Sequence, residues 1–199
     1  MAGKRDQKKR EVFDALYQSA LRLFDSKGYD AVTVSEITRA AGVAKGTFFN
    51  HFPAKADILA EWYRRLMADV MDTPATDDSL PLAEAALEVA HQTISLSAAS
   101  PQLWQATTQL SPVTPSIQTV EAENDRAVRN HYIRLARRAI SKGHLPSDTD
   151  PDKLGDLYLT LFTGTVRQCV VTGRREEILP DLKRRFEALA SIAARTGLP

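Results

Sequence analysis

The segment TVSEITRAAGVAKGTFFNHF, residues 33–52, constrains the fold more than any other part of the chain. Thr33 and Glu36 have the spacing of a capping box, in which two side chains satisfy backbone amides at the start of a helix. Gly42 ends this short helix, because glycine adopts a positive φ without a Cβ clash. A second short helix is predicted over Ala44–His51. Two short helices joined by a glycine turn predict a helix-turn-helix.

Helical periodicity extends through the rest of the 199 residues, and no segment shows the strict alternation typical of strands. The predicted class is therefore all-α, with about nine helices in total. They are predicted over residues 9–27, 34–41, 44–51, 55–71, 82–98, 102–110, 117–142, 151–172 and 179–195.

The clearest boundary is residues 72–81, DTPATDDSLP, which contain two prolines and three acidic residues. We therefore predict an N-terminal arm and three-helix domain over 1–54, a connecting helix over 55–72, and a larger helical bundle over 73–199.

Composition excludes several classes of protein. A single cysteine, Cys169, rules out an internal disulfide, and no run approaches the roughly 20 apolar residues that span a bilayer. The charged N-terminus has no apolar run behind it, so we expect a cytoplasmic protein without a secretory signal or membrane partner. Residues 1–10 contain five basic side chains against Asp6, a pattern that fits either an anionic partner or a solvated tail.

One face of the second helix of the helix-turn-helix carries hydrogen-bond donors and flat rings. These side chains are Lys45, Thr47, Phe49, Asn50 and His51. Such groups suit phosphates and base edges, so the segment predicts binding to double-stranded DNA. A small helical hairpin inside a bundle is the alternative that the pattern leaves open.

A longer set of positions surrounds this segment. It comprises Leu23-Phe24, Gly28-Tyr29, Val32-Thr33-Val34, Ile37, Ala41-Gly42-Val43, Gly46-Thr47-Phe48, His51-Phe52, Lys55 and Ile58-Leu59. Together these positions closely resemble the DNA-binding domain of the TetR (tetracycline repressor) family. The resemblance covers about a quarter of the chain and implies that Ala44–His51 is the recognition helix, with Lys45 at a base-reading position.

The resemblance also implies phosphate contacts from Thr33 and Ser35 at the start of the first short helix, and from Lys55 beyond the second. Two residues depart from the family pattern. Ala44 replaces a frequent serine, so the recognition helix lacks a side-chain N-cap. Phe49 replaces a usual tyrosine, which removes a phenolic phosphate contact but leaves a ring that can reach sugar or a thymine methyl. Whether the N-terminal arm contacts DNA stays open.

For the C-terminal residues, the resemblance implies a homodimer and a pocket for a small molecule. The expected dimer residues are Leu154, Leu157, Leu161, Val166, Cys169, Leu182, Phe186, Leu189 and Ala193. The candidate pocket residues are Trp62, His91, Trp104, Gln105, Gln109, Tyr132, Tyr158, Phe162 and Thr163. Periodicity alone fits an ordinary intramolecular core equally well.

The function expected is that of a transcriptional regulator, a repressor released from a palindromic operator by a small molecule. Residues 97–116 contain no charged side chain, which favours a largely apolar effector. A helical adaptor that binds only protein is the alternative, and a small enzyme is a weaker one. His91, His131, His144 and Cys169 lack metal-ligand spacing, and no G-x-S-x-G motif occurs, so no cofactor or metal is expected.

Overall fold

The computed structural model describes residues 3–72, 79–196 and 198. Within those ranges the chain forms nine α-helices and no strand, which confirms the all-α class. The helices are α1 (Lys4–Lys27), α2 (Val34–Ala40), α3 (Lys45–Phe49), α4 (Asp57–Asp72), α5 (Leu82–Ser97), α6 (Pro101–Leu110), α7 (Pro115–Ser141), α8 (Pro151–Val171) and α9 (Ile178–Thr196). Short 3₁₀ turns cover Ser111–Val113 and Arg175–Glu177. None of the described helices is long and apolar enough to cross a membrane.

Most helix ends lie close to their predicted positions, and the largest difference is at the N-terminus. Helix α1 begins at Lys4 rather than Lys9, with Asp6 in its first turn, where a carboxylate favours the helix dipole. Helix α3 is shorter than predicted because residues 50–51 fall in the turn that follows it. The predicted boundary at 72–81 lies mostly outside the described residues, which omit 73–78.

The first of two compact units contains the helix-turn-helix. It comprises the chain up to Arg64 together with Ala99–Val120. Large side chains from α1 to α4 and from α6 form its core, including Leu16, Tyr17, Phe24, Ile37, Phe48, Phe52, Ile58, Leu59 and Leu103. Helix α6 packs on α1, so the segment 99–120, which the predicted boundaries assigned to the C-terminal domain, belongs to the same compact unit as the helix-turn-helix.

The second unit comprises Arg65–Ala98 and the residues from Glu121 onward. Helix α9 packs against both α5 and α8. Helices α7 and α8 approach closely at Gly155, where an added Cβ would lie 2.5 Å from Cγ1 of Ile133. Arg129 of α7 also forms ion pairs with Asp152 and Asp156 of α8. Gly155 therefore permits a close contact within the single chain.

Candidate nucleic-acid interface

Helix α2 begins with the capping box that the sequence predicts. The Glu36 amide donates to the Thr33 hydroxyl at 3.2 Å, and the Thr33 amide donates to the Glu36 carboxylate at 2.9 Å. The Thr33 hydroxyl itself donates to Glu36 Oε2 at 2.9 Å. An ion pair with Lys27 at 2.7 Å, together with these bonds, lowers the pKa of Glu36 to about 2. The Thr33 side chain is thus engaged in starting the helix.

The turn between α2 and α3 has the backbone geometry of a tight connection. Gly42 has a φ of +69°, a value that L side chains rarely adopt. The Val43 amide donates to the Thr38 carbonyl oxygen at 3.0 Å and closes the turn. Ala44 occupies the N-cap of α3 and provides no side-chain hydrogen bond there, as its methyl group requires.

Buried aromatic rings hold α3 in place. Phe48 and Phe52 are 0% and 2% exposed, and their ring centroids lie 5.7 Å apart. Phe13 of α1 stacks on Phe52 with a centroid distance of 4.6 Å. The rings of Phe48 and Phe52 therefore lie in the core, and α1 contributes a third ring. This fixes the orientation of the short helix without a side-chain N-cap.

The remaining predicted DNA contacts lie at the surface or close to it. Ser35, Lys45, Phe49 and Asn50 are exposed, and Thr47 and His51 are half-buried. Arg39 is also exposed, four residues after Ser35, so both lie on the same side of α2. Sequence reasoning missed Arg39, although its spacing from Ser35 was a usable signal. The surface presents a guanidinium, an ammonium, an amide and an aromatic ring.

Lys55, a predicted phosphate contact, makes its hydrogen bonds to the protein's own backbone. Its ammonium donates to the Tyr29 and Val32 carbonyl oxygens, both at 2.8 Å, and lies 4.1 Å from the centroid of the Tyr29 ring. Burial lowers its pKa from the ordinary value. Lys55 therefore ties the start of the connecting segment to the loop between α1 and α2.

A shallow cleft of about 240 Å³ lies between the start of α1 and His51, which is in the turn after α3. Asp6, Lys9, Arg10, Phe13 and His51 line it. The His51 ring meets Phe13 edge-on at 6.2 Å. Burial, and then the nearby charge of Lys9, lowers the pKa of His51. Lys9 and Arg10 of α1 thus lie beside the turn that follows α3.

Helix α6 contacts the other helices of the first unit through polar and aromatic groups. The Gln102 amide nitrogen, in the orientation that satisfies both ends of the amide, donates to the Phe24 carbonyl oxygen at 2.9 Å. The Trp104 ring lies edge-on to Trp62 at 6.4 Å and to Tyr63 at 6.1 Å. These contacts connect α6 to the end of α1 and to α4.

The candidate pocket residues fall into both compact units. Trp62, Trp104, Gln105 and Gln109 belong to the first unit, and His91, Tyr132, Tyr158, Phe162 and Thr163 belong to the second. His91, Gln105 and Gln109 are exposed, whereas Trp62, Tyr132, Tyr158 and Phe162 are buried.

An aromatic cluster in the second unit contains two of these candidates. Tyr132, Tyr158 and Phe186 have ring centroids 4.9–6.0 Å apart. The Tyr158 hydroxyl is 3.4 Å from the Phe186 carbonyl oxygen. Among the residues that the structure describes, the fully buried Tyr132 hydroxyl has no hydrogen-bond partner. Burial raises the pKa of both phenols, so both hydroxyls stay protonated and able to donate.

The expected dimer residues are mostly inside the second unit. Leu154, Cys169, Leu182, Phe186, Leu189 and Ala193 are buried within the single chain. Leu157 is 41% exposed, and Leu161 and Val166 are half-buried. Gly164, Val171 and Ile192 are exposed too. Within the described residues, no group of three His, Cys, Asp or Glu side chains is placed to hold a metal.

Residues 16–62 match the model of a family described as bacterial regulatory proteins of the tetR family. The transposon Tn10 TetC protein of Escherichia coli is 39% identical over 70 residues, a match that covers 34% of this chain and only 36% of TetC. The HTH-type transcriptional repressor DhaR of Mycobacterium sp. (strain GP1) is 24% identical over 182 residues, which covers 87% of this chain and 90% of DhaR.

A solved structure extends the likeness along the fold. FadR of Thermus thermophilus, described as a TetR-family transcriptional repressor in complex with lauroyl-CoA, has a TM-score of 0.70 at 18% identity. The match covers 89% of this chain and 92% of FadR. The family model matches the helix-turn-helix region, while the likeness of fold to FadR covers most of the chain.

Proposed function

This chain belongs to the TetR family of bacterial regulatory proteins, and from that membership we propose that it is a homodimeric repressor of a palindromic DNA operator. The observation that carries the proposal is the exposed set on α2 and α3. Lys45 and Phe49 of α3, and Asn50 directly after it, are exposed, and buried Phe48 holds the helix in place. A short, rigidly held helix with cationic, amide and aromatic side chains suits the major groove.

We assign the reading of bases to α3 and phosphate contacts to its surroundings. Lys45 suits the O6 and N7 acceptors of guanine, and Asn50 suits adenine. Ser35 and Arg39 on α2 suit the sugar-phosphate backbone, as do the basic side chains around the cleft at His51. Thr33 and Lys55 support the interface through the bonds described above, and phosphate contacts from them are not part of the proposal.

A palindromic operator requires two copies of the chain, and α8 offers a surface for the second. Leu157, Leu161, Gly164 and Val171 recur at four-, three- and seven-residue steps, so they form one stripe along the helix. The stripe runs from exposed Leu157 to exposed Val171, and exposed Ile192 on α9 adds a further apolar side chain. We propose that this stripe, with Ile192, replaces the buried leucines as the dimer surface. Two half-sites then lie about one helical turn of DNA apart, or a multiple of it.

The effector proposed is a small molecule with a largely apolar portion. FadR of Thermus thermophilus, which shares the fold, is described in complex with lauroyl-CoA. In the described part of this chain, the second unit contains Tyr132, whose buried hydroxyl has no hydrogen-bond partner, and a polar group of the effector would supply one. An effector that binds the DNA-incompetent state more tightly lowers operator affinity, and the operator lowers effector affinity by the same factor.

The proposal is tested by selecting bound sequences from random double-stranded DNA and measuring affinity for the selected site by fluorescence anisotropy. A palindrome bound by two chains is expected. Lys45→Ala should lose about 1–3 kcal/mol of binding free energy at one base pair in each half-site, and its preference for the base at that position should relax. A protein that selects no DNA would support the adaptor alternative, and uniform weakening by Lys45→Ala would assign Lys45 to phosphate.

A further inference from the structure

Phe49 is an exposed aromatic side chain at the end of the recognition helix. Half of its surface is accessible, which is unusual for a phenylalanine, and only five other large apolar side chains in the described residues are classed as exposed. Its ring meets the fully buried Phe48 ring edge-on, with centroids 5.3 Å apart and an angle of 81° between the planes. One side of the Phe49 ring therefore packs on the protein, and the other side is accessible to a binding partner.

The position of Phe49 relative to Lys45 indicates that the partner is DNA. The two residues are the last and first of α3, four apart, so they lie on the same side of the helix. The separation along the axis is about 6 Å at 1.5 Å per residue. Base pairs rise about 3.4 Å each, so the two side chains reach positions within about two base pairs. The ammonium of Lys45 also gives this face the positive charge that a polyanion attracts.

The chemistry of a phenyl ring restricts the groups of DNA that Phe49 can recognise. Phe49 has no hydrogen-bonding group, so it cannot read the donors and acceptors of a base edge. Thymine alone among the four bases places an apolar group, its C5 methyl, in the major groove. We propose that Phe49 selects thymine by contact with this methyl group, within two base pairs of the base read by Lys45. The inference rests on the proposed function as a DNA-binding protein.

Deoxyuridine provides the test, because replacing thymine with uracil removes the methyl group and leaves base pairing intact. Each thymine of the selected operator is replaced in turn, in both half-sites, and affinity is measured with wild type, Phe49→Ala and Phe49→Tyr. For wild type we expect about a three- to fivefold loss at one position per half-site, the loss typical of one buried methyl group. Phe49→Tyr keeps the ring and should keep this sensitivity, whereas Phe49→Ala should bind both operators equally.

Three results would overturn the inference. Wild type bound to its operator with no sensitivity to any methyl group would refute the thymine contact and leave the proposed function intact. Equal sensitivity in wild type and Phe49→Ala would assign the methyl contact to another residue. A protein that selects no DNA would overturn the proposed function and this inference with it. Circular dichroism and thermal unfolding of the two variants show whether they fold, which we expect because Phe49 is exposed.

Discussion

Replacing Lys55 should weaken the fold more directly than it weakens contact with DNA. Its ammonium makes two hydrogen bonds of 2.8 Å to the Tyr29 and Val32 carbonyl oxygens and lies over the Tyr29 ring. A hydrogen bond to a charged donor contributes roughly 1.5–3 kcal/mol, and an exposed cation–π contact about 0.5–1 kcal/mol. Lys55 is half-buried, and the loss of water around its charge opposes these gains. We therefore expect Lys55→Met to lower the free energy of unfolding by about 2–3 kcal/mol.

Two assays on the same variants separate a structural role from a phosphate contact. Urea unfolding reports stability, and the slope of log K against log salt reports phosphate contacts, each of which contributes about 0.9 to the slope. Lys55→Met should be destabilised with an unchanged slope when binding is measured under conditions where it is folded. Lys55→Arg keeps a cation suited to phosphate but alters the compact ammonium, so it too should lose stability.

The matched control is Lys45→Met, a change at an exposed lysine in the same helix-turn-helix. It should leave the free energy of unfolding within about 0.5 kcal/mol of wild type and weaken operator binding. The reasoning about Lys55 is refuted if Lys55→Met unfolds like wild type while its salt slope falls by about one. That outcome would show that the ammonium leaves the two carbonyl groups for a phosphate.

The remaining predictions concern the second unit. Leu157→Arg should turn the proposed dimer into a monomer in analytical ultracentrifugation, whereas Leu96→Arg, at a similarly exposed leucine on α5, should not. Burial lowers the pKa of His131 to about 4, below the ordinary 6.5, so the unfolded state binds its proton more readily. Stability should fall as pH decreases from 6.5 towards 4, and His131→Gln should flatten that part of a pH series of urea unfolding curves. In the Leu157→Arg background, Gly155→Ala should lower the free energy of unfolding by about 1–3 kcal/mol, because the added methyl group overpacks the contact between α7 and α8. Gly164→Ala, with open space around the added methyl group, is the control and should not be destabilised in this way. Equal stabilities of the two variants would contradict the close helix contact.

Features set by neighbouring residues could be predicted from the sequence. The capping box at Thr33 and the turn at Gly42 depend on positions three or four apart, and both are present. The missing side-chain cap at Ala44 follows from its side chain alone. The all-α class follows from periodicity over whole helices. In each case the interacting groups lie within one turn of helix or one tight turn, so spacing contains the required information.

Contacts between distant segments could not be predicted in the same way. Lys55 finds its two acceptors 23 and 26 residues earlier in the chain. Every residue has a backbone carbonyl group, so nothing in the sequence marks these two as hydrogen-bond partners of Lys55. For the same reason the packing of α6 on α1 could not be predicted, since Gln102 of α6 donates to the Phe24 carbonyl group. Apolar periodicity on α8 and α9 predicts which face of each helix is buried. It does not predict whether that face packs against the same chain or against a second copy.

These distinctions divide the helix-turn-helix into supporting and reading groups, which differ in how they affect recognition. Thr33 and Lys55 direct their polar atoms at the protein's own backbone, so their loss should reduce binding to every DNA sequence in proportion to the folded fraction. Lys45 and Phe49 face outward, and their loss should change which base pairs are preferred while stability stays close to wild type. A residue that occupies a family's DNA-contact position can therefore belong to either group. The hydrogen-bond partners of its polar atoms, rather than its alignment, decide which.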